Sequence, residues 1–435
     1  MSKPVILKNC IIASYDVFIN NGEILIESGK IKKLDKSGNI SKKYTDNATI
    51  YDLKGRLVLP GFVNAHSHLY SSLSKGLSPV GPNNTFHNVL SNFWWPLDAA
   101  LDEESVYYSA MSGLLDAVKH GVTCVFDHHA SMNYVDNSLE TIEHTFNEIG
   151  IKGVLCFETS NRKSNTNFEK HIEENITFAE NHINNEQIKG MFGLHANLTL
   201  SDKELSQISD TISNFSEPIP IHIHCGEAED DLKYCKESGY EGPVDRLNKF
   251  NLLTSKSLLA HCVHISKTDK DIINNIQPWI VLNSESNANN RVGKVNRESF
   301  DKYLLGTDGM SFDMISSFRS HYLLGKGLSE DFTELYNLLF NWQNQFANLF
   351  FNSIGHFKEG FDADIAVLDY IPETEINADN LIGHLIFGAK GGNVFMTISN
   401  GKILYHNGNF TFLSEETIKN EIREAATRLH RRYYG

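Results

Sequence analysis

Short, wholly apolar runs alternate with longer amphipathic stretches through the middle of this chain. Apolar runs of about four to eight residues between polar turns are typical of strands buried on both faces. They predict the strands Leu57–Ala65, Val122–Asp127, Lys152–Glu158, Gly190–Ala196, Ile219–Cys225, Ser257–Cys262, Trp279–Asn283 and Tyr303–Asp308. The stretches between them space their apolar residues as helices do, and they predict helices that include Glu103–His120, Glu140–Glu148, Asn167–Ile183 and Asp202–Ser213.

This alternation predicts the fold class. Eight strands separated by helices indicate an α/β protein with a (β/α)8 barrel, and a doubly wound open sheet is the alternative that periodicity leaves open. The pattern differs at both ends, where short strand-like pieces are separated by turn residues such as Asn20-Asn21-Gly22 and Asn400-Gly401. The chain closes with a predicted amphipathic helix over Glu415–Arg432.

Composition narrows the class of function. The 435 residues carry a formal net charge of −15 and no Lys/Arg-rich run, which argues against nucleic-acid binding. Six cysteines without a C-x-x-C pair indicate reduced, intracellular usage. Lys8 and Asn9 interrupt the only apolar stretch near the N-terminus, and no run is long enough to span a membrane. We therefore expect a cytoplasmic enzyme without a membrane partner.

Titratable residues recur where the predicted strands end, which is the end of a barrel at which active sites form. They are His66, His68, Asp127, His128, His129, His195, His222, His224, Glu227, His261 and Asp308. Imidazole and carboxylate ligands suit zinc, and they also suit iron or another first-row metal. Such a metal lowers the pKa of bound water to about 7, and a nearby carboxylate can then move protons.

Several motifs at these strand ends carry a family resemblance. They are Pro60-Gly61-Phe62-Val63-Asn64-Ala65-His66-Ser67-His68, His224-Cys225-Gly226-Glu227, Leu259-Ala260-His261-Cys262 and Gly306-Thr307-Asp308. Together they resemble the amidohydrolase superfamily, in its mononuclear branch of deaminases and chlorohydrolases. The closest likeness is to SsnA-type aminohydrolases, partly through Glu285-Ser286-Asn287-x-Asn289-Asn290.

The resemblance covers almost the whole chain and implies a domain organisation. Residues 1–57 and 355–412 would form a small composite β-sandwich domain, and residues 58–354 the metal-dependent barrel. Residues 413–435 would form a C-terminal helix. Relatives often form homodimers, and we expect the same assembly here.

The resemblance also implies roles for individual residues. His66, His68, His224 and Asp308 would bind one divalent metal ion, with Zn²⁺ expected and Fe²⁺ as the alternative. Glu227 would shuttle protons, Asp308 would also contact the attacking water, and His261 would polarise that water or steady the oxyanion. His195, Asn287 and Trp95 would contact the substrate.

For the remaining candidate residues, the sequence also allows structural roles. His222 is expected to pack or hydrogen-bond rather than bind metal, and His264 to point away from His261. His128 and His129 are expected in supporting positions, and Cys225 and Cys262 as packed thiols. Trp94 and Trp95 could line the pocket or form core beneath their loop. Lys189 lies seven residues before Ala196, too early to bridge two metals as a carbamylated lysine, so one metal is favoured.

The expected reaction is hydrolytic deamination of a small amino-substituted N-heterocycle, such as a purine, a pterin or a triazine-like compound. Hydrolysis of a cyclic amide and hydrolytic displacement of a halide are alternatives on the same site. A catalytically silent binding protein is the alternative from a different class. The stretch Leu282–Asn287 departs from the His-x-Pro-x-Ser-Asn pattern of many relatives, so the resemblance does not define the substrate.

Overall fold

A closed barrel and a separate sheet built from both ends of the chain organise the molecule. The computed structural model describes residues 3–44, 47–162, 167–215, 218–325, 332–390, 392 and 394–435. Its α-helices of six residues or more are Trp95–Ala100, Glu103–Lys119, Ser138–Ile149, Phe168–Asn181, Asp202–Ser213, Glu229–Glu237, Pro243–Lys249, Lys267–Ile276, Ser284–Asn290, Met314–Gly325, Phe332–Asn337 and Glu415–Tyr434.

Eight parallel strands form the barrel, and we number them one to eight in chain order. They are Phe62–Ser67, Val122–His129, Lys152–Phe157, Ile188–Gly190 with Phe192–Ala196, Ile221–Cys225, Leu258–His261, Trp279–Leu282 and Leu304–Leu305. Each strand pairs with its sequence neighbour, as a (β/α)8 barrel requires. The barrel predicted from the strand pattern is confirmed.

Backbone hydrogen bonds complete the barrel between strands three and four and between strands eight and one. Strand four is interrupted at Met191, whose amide donates to Leu155 O at 3.0 Å, and Thr159 N donates to Gly193 O at 3.0 Å. A Cβ at Gly193 would lie 2.2 Å from Phe157 O, so this close approach requires glycine. Strand eight meets strand one where Thr307 N donates to His66 O at 3.0 Å.

The second sheet has nine strands and unites the two ends of the chain. Its order is Asn409–Phe410, Lys402–His406, Met396–Ser399, Ile365–Val367, Leu57–Pro60, Val5–Ala13, Phe18–Glu27 and Lys30–Lys36, with Thr49–Asp52 also paired to Val5–Ala13. The sheet curls, because Ile31 N donates to Phe361 O and Ala363 N donates to Gly29 O, each at 2.9 Å. Its strands enclose an apolar core of their own.

One predicted strand is divided in the structure. The run Leu57–Ala65 becomes Leu57–Pro60 in the second sheet and Phe62–Ser67 in the barrel. Gly61 separates them, and its amide donates to Asp364 O at 2.9 Å. A Cβ at Gly61 would lie 2.2 Å from Thr123 Oγ1, so the chain changes sheets at a residue that only glycine can occupy unstrained.

An apolar cluster fills the barrel on the N-terminal side of its strands. Cys124 and Phe126 precede His128 in strand two, and Leu258 and Ala260 precede His261 in strand six. The polar residues therefore stand at one rim, above a dry and closely packed interior.

Candidate metal and catalytic site

Five of the predicted residues meet at the C-terminal rim of the barrel. His66 lies in strand one and His68 directly follows it, while His224 lies in strand five and His261 ends strand six. Asp308 follows strand eight, beside the junction with strand one. His261 and Asp308 have left-handed backbones with φ of 75° and 54°, a costly conformation that collects at functional sites.

The side chains of these residues converge on one point. His68 Nε2 lies 2.9 Å from Asp308 Oδ1 and 3.1 Å from His224 Nε2, and His66 Nε2 lies 3.4 Å from Asp308 Oδ1. The ligand atoms of His66, His224, His261 and Asp308 lie within 4.8 Å of one another. Nε2 of His66 and Nε2 of His261 are buried without a hydrogen-bond partner. A divalent cation fits this donor set, because it would satisfy the orphaned nitrogens.

Hydrogen bonds on the outer side of three imidazoles fix which nitrogen faces inward. His68 Nδ1 donates to His128 O at 2.7 Å, and His224 Nδ1 donates to His195 O at 2.9 Å. His66 Nδ1 lies 2.8 Å from His222 Nε2, within hydrogen-bond distance. With Nδ1 as donor, the Nε2 lone pair points to the site, which is the usual arrangement around a metal.

Electrostatics in the site favour the neutral imidazoles of His66 and His224 and the charged forms of His68 and Asp308. Burial lowers the pKa of His66 to about 3 and lowers the pKa of His224 well below its ordinary value. Burial acts against the charged form of His68, but its bond to Asp308 raises the pKa to about 9. Burial raises the pKa of Asp308, yet His66 and His68 hold it well below its ordinary value.

Glu227 stands beside this group with the properties of a proton donor. Its Oε2 lies 3.6 Å from His261 Nε2, and Asn290 Nδ2 donates to its Oε1 at 3.2 Å. Burial raises the pKa of Glu227, and the charge of Asp308 raises it further, although His261 acts in the opposite direction. A raised pKa favours the protonated carboxyl, which is the form that can donate a proton.

A cavity opens beside the converging ligand atoms. Its lining includes His68, Tyr70, Trp94, Trp95, Glu158, Arg162, His195, His224, Glu227, Asp231, Ser286, Asn290 and Asp308. Trp94 and Trp95 thus belong to the lining, and the ring centroid of Trp95 lies 6.5 Å from that of His195. The cavity combines two indole rings with convergent polar groups, as ligand sites do.

Asn287 contacts His261. Its Oδ1 accepts a hydrogen bond from His261 Nδ1 at 2.7 Å, and its side chain is buried behind that ring. Ser286 and Asn290 line the cavity from the same helix, Ser284–Asn290. The contact between Asn287 and substrate stays a prediction.

Three other histidines contact groups around the site. His222 holds His66 and has its own Nδ1 3.7 Å from Cys156 Sγ. His264 contacts Val292 O instead of the site. His128 Nε2 donates to His222 O at 3.1 Å, so it supports a neighbouring strand. Among the described residues, the groups of converging ligand atoms include no cysteine.

Sequence reasoning missed three charged residues of the cavity wall, which are Glu158, Arg162 and Asp231. Arg162 Nη2 donates to Asp98 Oδ2 at 2.6 Å and lies 3.3 Å from Glu158 Oε1. Glu158 ends the predicted strand Lys152–Glu158, so the rule that identified Asp308 could have found it. Asp98 lies in helix Trp95–Ala100, 64 residues before Arg162, and no sequence signal connects the two.

The family is shown by the chain as a whole. The model of the Amidohydrolase family matches residues 57–404, and the chain belongs to that family. The chain is 28% identical to the 5'-deoxyadenosine deaminase of Methanocaldococcus jannaschii, over 94% of this chain and 97% of that protein. It is 27% identical to the 5-methylthioadenosine/S-adenosylhomocysteine deaminase of Caldicellulosiruptor saccharolyticus, over 92% of this chain and 92% of that protein.

A solved structure has the same fold. The chain superposes on an adenosine deaminase from Xanthomonas campestris with bound zinc, with a TM-score of 0.83, 17% identity and coverage of 98% of each chain. None of the described helices has the length and apolar character that crossing a bilayer requires.

Proposed function

We propose that this protein is a metal-dependent aminohydrolase that replaces the amino group of a small N-heterocycle by a carbonyl and releases ammonia. The observation that carries the proposal is the placement of Glu227, a buried carboxyl with a raised pKa, beside His261 and the converging ligand atoms. The full-length likeness to deaminases of adenine nucleosides supports the same reaction.

His66, His68, His224 and Asp308 would hold the metal, and His261 lies close enough to contribute. Zinc is the proposed ion, with iron as the alternative, because imidazole and carboxylate suit both. When bound, the metal supplies Lewis acidity and makes water a nucleophile at neutral pH. Asp308 has a second oxygen that accepts a hydrogen bond from Ser286 Oγ, and it would take a proton from the attacking water.

Glu227 would move protons between water and substrate. In its protonated form it gives a proton to a ring nitrogen, which makes the amino-bearing carbon more electrophilic. The carbon would then gain the oxygen of the water, and its bond to the amino group would break. The second proton of the water would pass through Glu227 to the departing amino group, and the proton taken by Asp308 would return to Glu227, so that both carboxyl groups recover their starting forms. His261, held by Asn287, would steady the negative charge that develops on the oxygen.

Ammonia release is the measurement that tests this function. Purines, pyrimidines, pterins and adenine nucleosides are incubated with zinc-loaded and iron-loaded protein, and ammonia is quantified by a coupled assay. We expect at least one aminated heterocycle to release stoichiometric ammonia. Ring opening without ammonia, or halide release from chlorinated analogues alone, would favour the cyclic amidase or dehalogenase alternative.

Glu227→Gln gives the matching test of the proton shuttle. The amide cannot donate and recover a proton, so we expect kcat to fall by at least about a thousandfold while the bound metal stays at the wild-type level. Glu229→Gln, on the exposed start of the next helix, is the control and should retain activity. Substantial turnover by Glu227→Gln would exclude this role.

A further inference from the structure

Glu158 faces the cavity from the end of strand three and takes no part in the proton transfers above. Its residue is only 2% exposed, and it lines the same cavity as Glu227 and Asp308. Burying a carboxylate costs free energy unless hydrogen-bond donors surround it. The contacts of Glu158 therefore show whether the protein itself supplies those donors.

The contacts of Glu158 are long. Arg162 Nη2 lies 3.3 Å and His195 Nε2 3.6 Å from its Oε1, and His128 Nδ1 lies 3.4 Å from its Oε2. His128 Nδ1 forms no hydrogen bond with Glu158 at that distance, because the two groups are not suitably aligned. The described residues thus surround this carboxylate without donating a well-formed hydrogen bond to it.

The charge of Glu158 is stabilised by its neighbours without a close contact. Burial raises the pKa of this carboxyl, but His195, His128 and Arg162 outweigh burial and hold the pKa well below its ordinary value. Arg162 is shared, and its shorter contact of 2.6 Å goes to Asp98. Glu158 therefore faces the cavity as an ionised carboxylate, which can only accept hydrogen bonds.

We propose that Glu158 is a specificity-determining residue that accepts hydrogen bonds from N–H groups of the substrate ring. This inference rests on the proposed function and narrows its substrate class. The substrate is an aminated N-heterocycle with a further N–H donor, such as a second amino group. That N–H group would donate to Glu158 the well-formed hydrogen bond that the described residues do not supply.

Binding measurements test this without requiring turnover. Zinc-loaded Glu227→Gln protein is titrated by calorimetry with a matched pair, 2,6-diaminopurine and adenine. We expect the diamino compound to bind more tightly than adenine. Adding Glu158→Gln should weaken the diamino compound about ten- to hundredfold and leave adenine within about threefold, because one charge-assisted hydrogen bond is lost.

The ratio of dissociation constants within a pair is the decisive quantity, since partial misfolding affects both members equally. Glu173→Gln, an exposed carboxylate on the outer helix Phe168–Asn181, is the control and should leave the ratio unchanged. An unchanged ratio in the Glu158→Gln protein would overturn the inference.

A second metal is the competing explanation, because ligand atoms of His68, His128, Glu158 and His224 also lie within 4.8 Å of one another. Metal analysis separates the two explanations. Two equivalents of metal in the parent protein and one in the Glu158→Gln protein would overturn the inference. A screen without ammonia release would instead count against the proposed function, since the binding ratios do not depend on turnover.

Discussion

At the scale of single residues, the imidazoles proposed to bind the metal are oriented by hydrogen bonds to groups outside the proposed ligand set. His222 is the clearest case, because its Nε2 lies 2.8 Å from His66 Nδ1. If His66 donates this hydrogen bond, its Nε2 is free to bind, and His222 Nδ1 is left to face Cys156 Sγ. The sequence pattern His222-x-His224 therefore contains one supporting residue and one ligand-facing residue.

Replacing His222 should weaken the metal site without removing a ligand. His222→Phe keeps the ring volume and removes the hydrogen bond that orients His66, so we expect metal affinity to fall about ten- to hundredfold. Competition with a chromophoric chelator measures this affinity. His144→Phe, at an exposed position on an outer helix, is the control. Unchanged affinity in His222→Phe would show that His66 needs no such support.

The same scale shows the limit of sequence reasoning. His66, His68, His224, His261 and Asp308 were predictable, because a barrel sends the ends of all its strands to one rim. The direction of Asn287 was not predictable, since it depends on how helix Ser284–Asn290 is rotated against strand six. The contact between Asp98 and Arg162 depends on how helix Trp95–Ala100 is placed over the barrel, which the strand pattern does not define.

At the scale of elements, the C-terminal helix Glu415–Tyr434 holds the segment that carries Trp94 and Trp95. His430 Nε2 donates to Leu73 O at 2.7 Å, and Arg432 Nε donates to Ala100 O at 2.8 Å. The helix thus contacts both ends of the segment 73–100, which contributes Trp94 and Trp95 to the cavity lining.

Loosening this attachment should affect substrate binding more than chemistry. Arg432→Ala removes the bonds to Ala100 O and to Asp102 Oδ1, the latter 2.8 Å long. We expect KM to rise about three- to tenfold with kcat and metal content nearly unchanged, as the loss of about 1 kcal/mol of positioning implies. Arg431→Ala removes an exposed neighbour and is the matched control. An equal effect of both substitutions would contradict this attachment.

At the scale of the whole molecule, a buried ion-pair network joins the barrel to the second sheet. Lys152 begins strand three, and its Nζ lies 2.6 Å from Asp364 Oδ2 and 3.2 Å from Asp362 Oδ2. Lys30 also contacts Asp362. We propose that the chain divides as its sequence predicts, into the barrel, the composite domain and the C-terminal helix, with this network at the junction.

The network predicts how stability depends on pH. Burial raises the pKa of Asp362, but Lys152 and Lys30 outweigh it and hold the pKa below its ordinary value. Its contribution is therefore present above about pH 4 and is lost as the pH falls through the lowered pKa. We expect Asp362→Asn to reduce the free energy of unfolding by about 1–3 kcal/mol at pH 7, with a smaller difference below pH 4.

Chemical denaturation at several pH values measures this difference. Asp210→Asn, on an exposed face of helix Asp202–Ser213, is the control and should change stability little at any pH. A difference for Asp362→Asn that stays constant from pH 7 into the acidic range would contradict an ionised, paired Asp362.

On the proposed function, one metal ion held where His66, His68, His224 and Asp308 meet makes this protein a deaminase. The need for a single metal ion is tested by titrating zinc into metal-free protein while recording ammonia release from the best substrate. We predict that activity rises linearly and reaches a plateau at one equivalent of zinc per chain. A plateau at two equivalents, or activity that persists without metal, would contradict the claim.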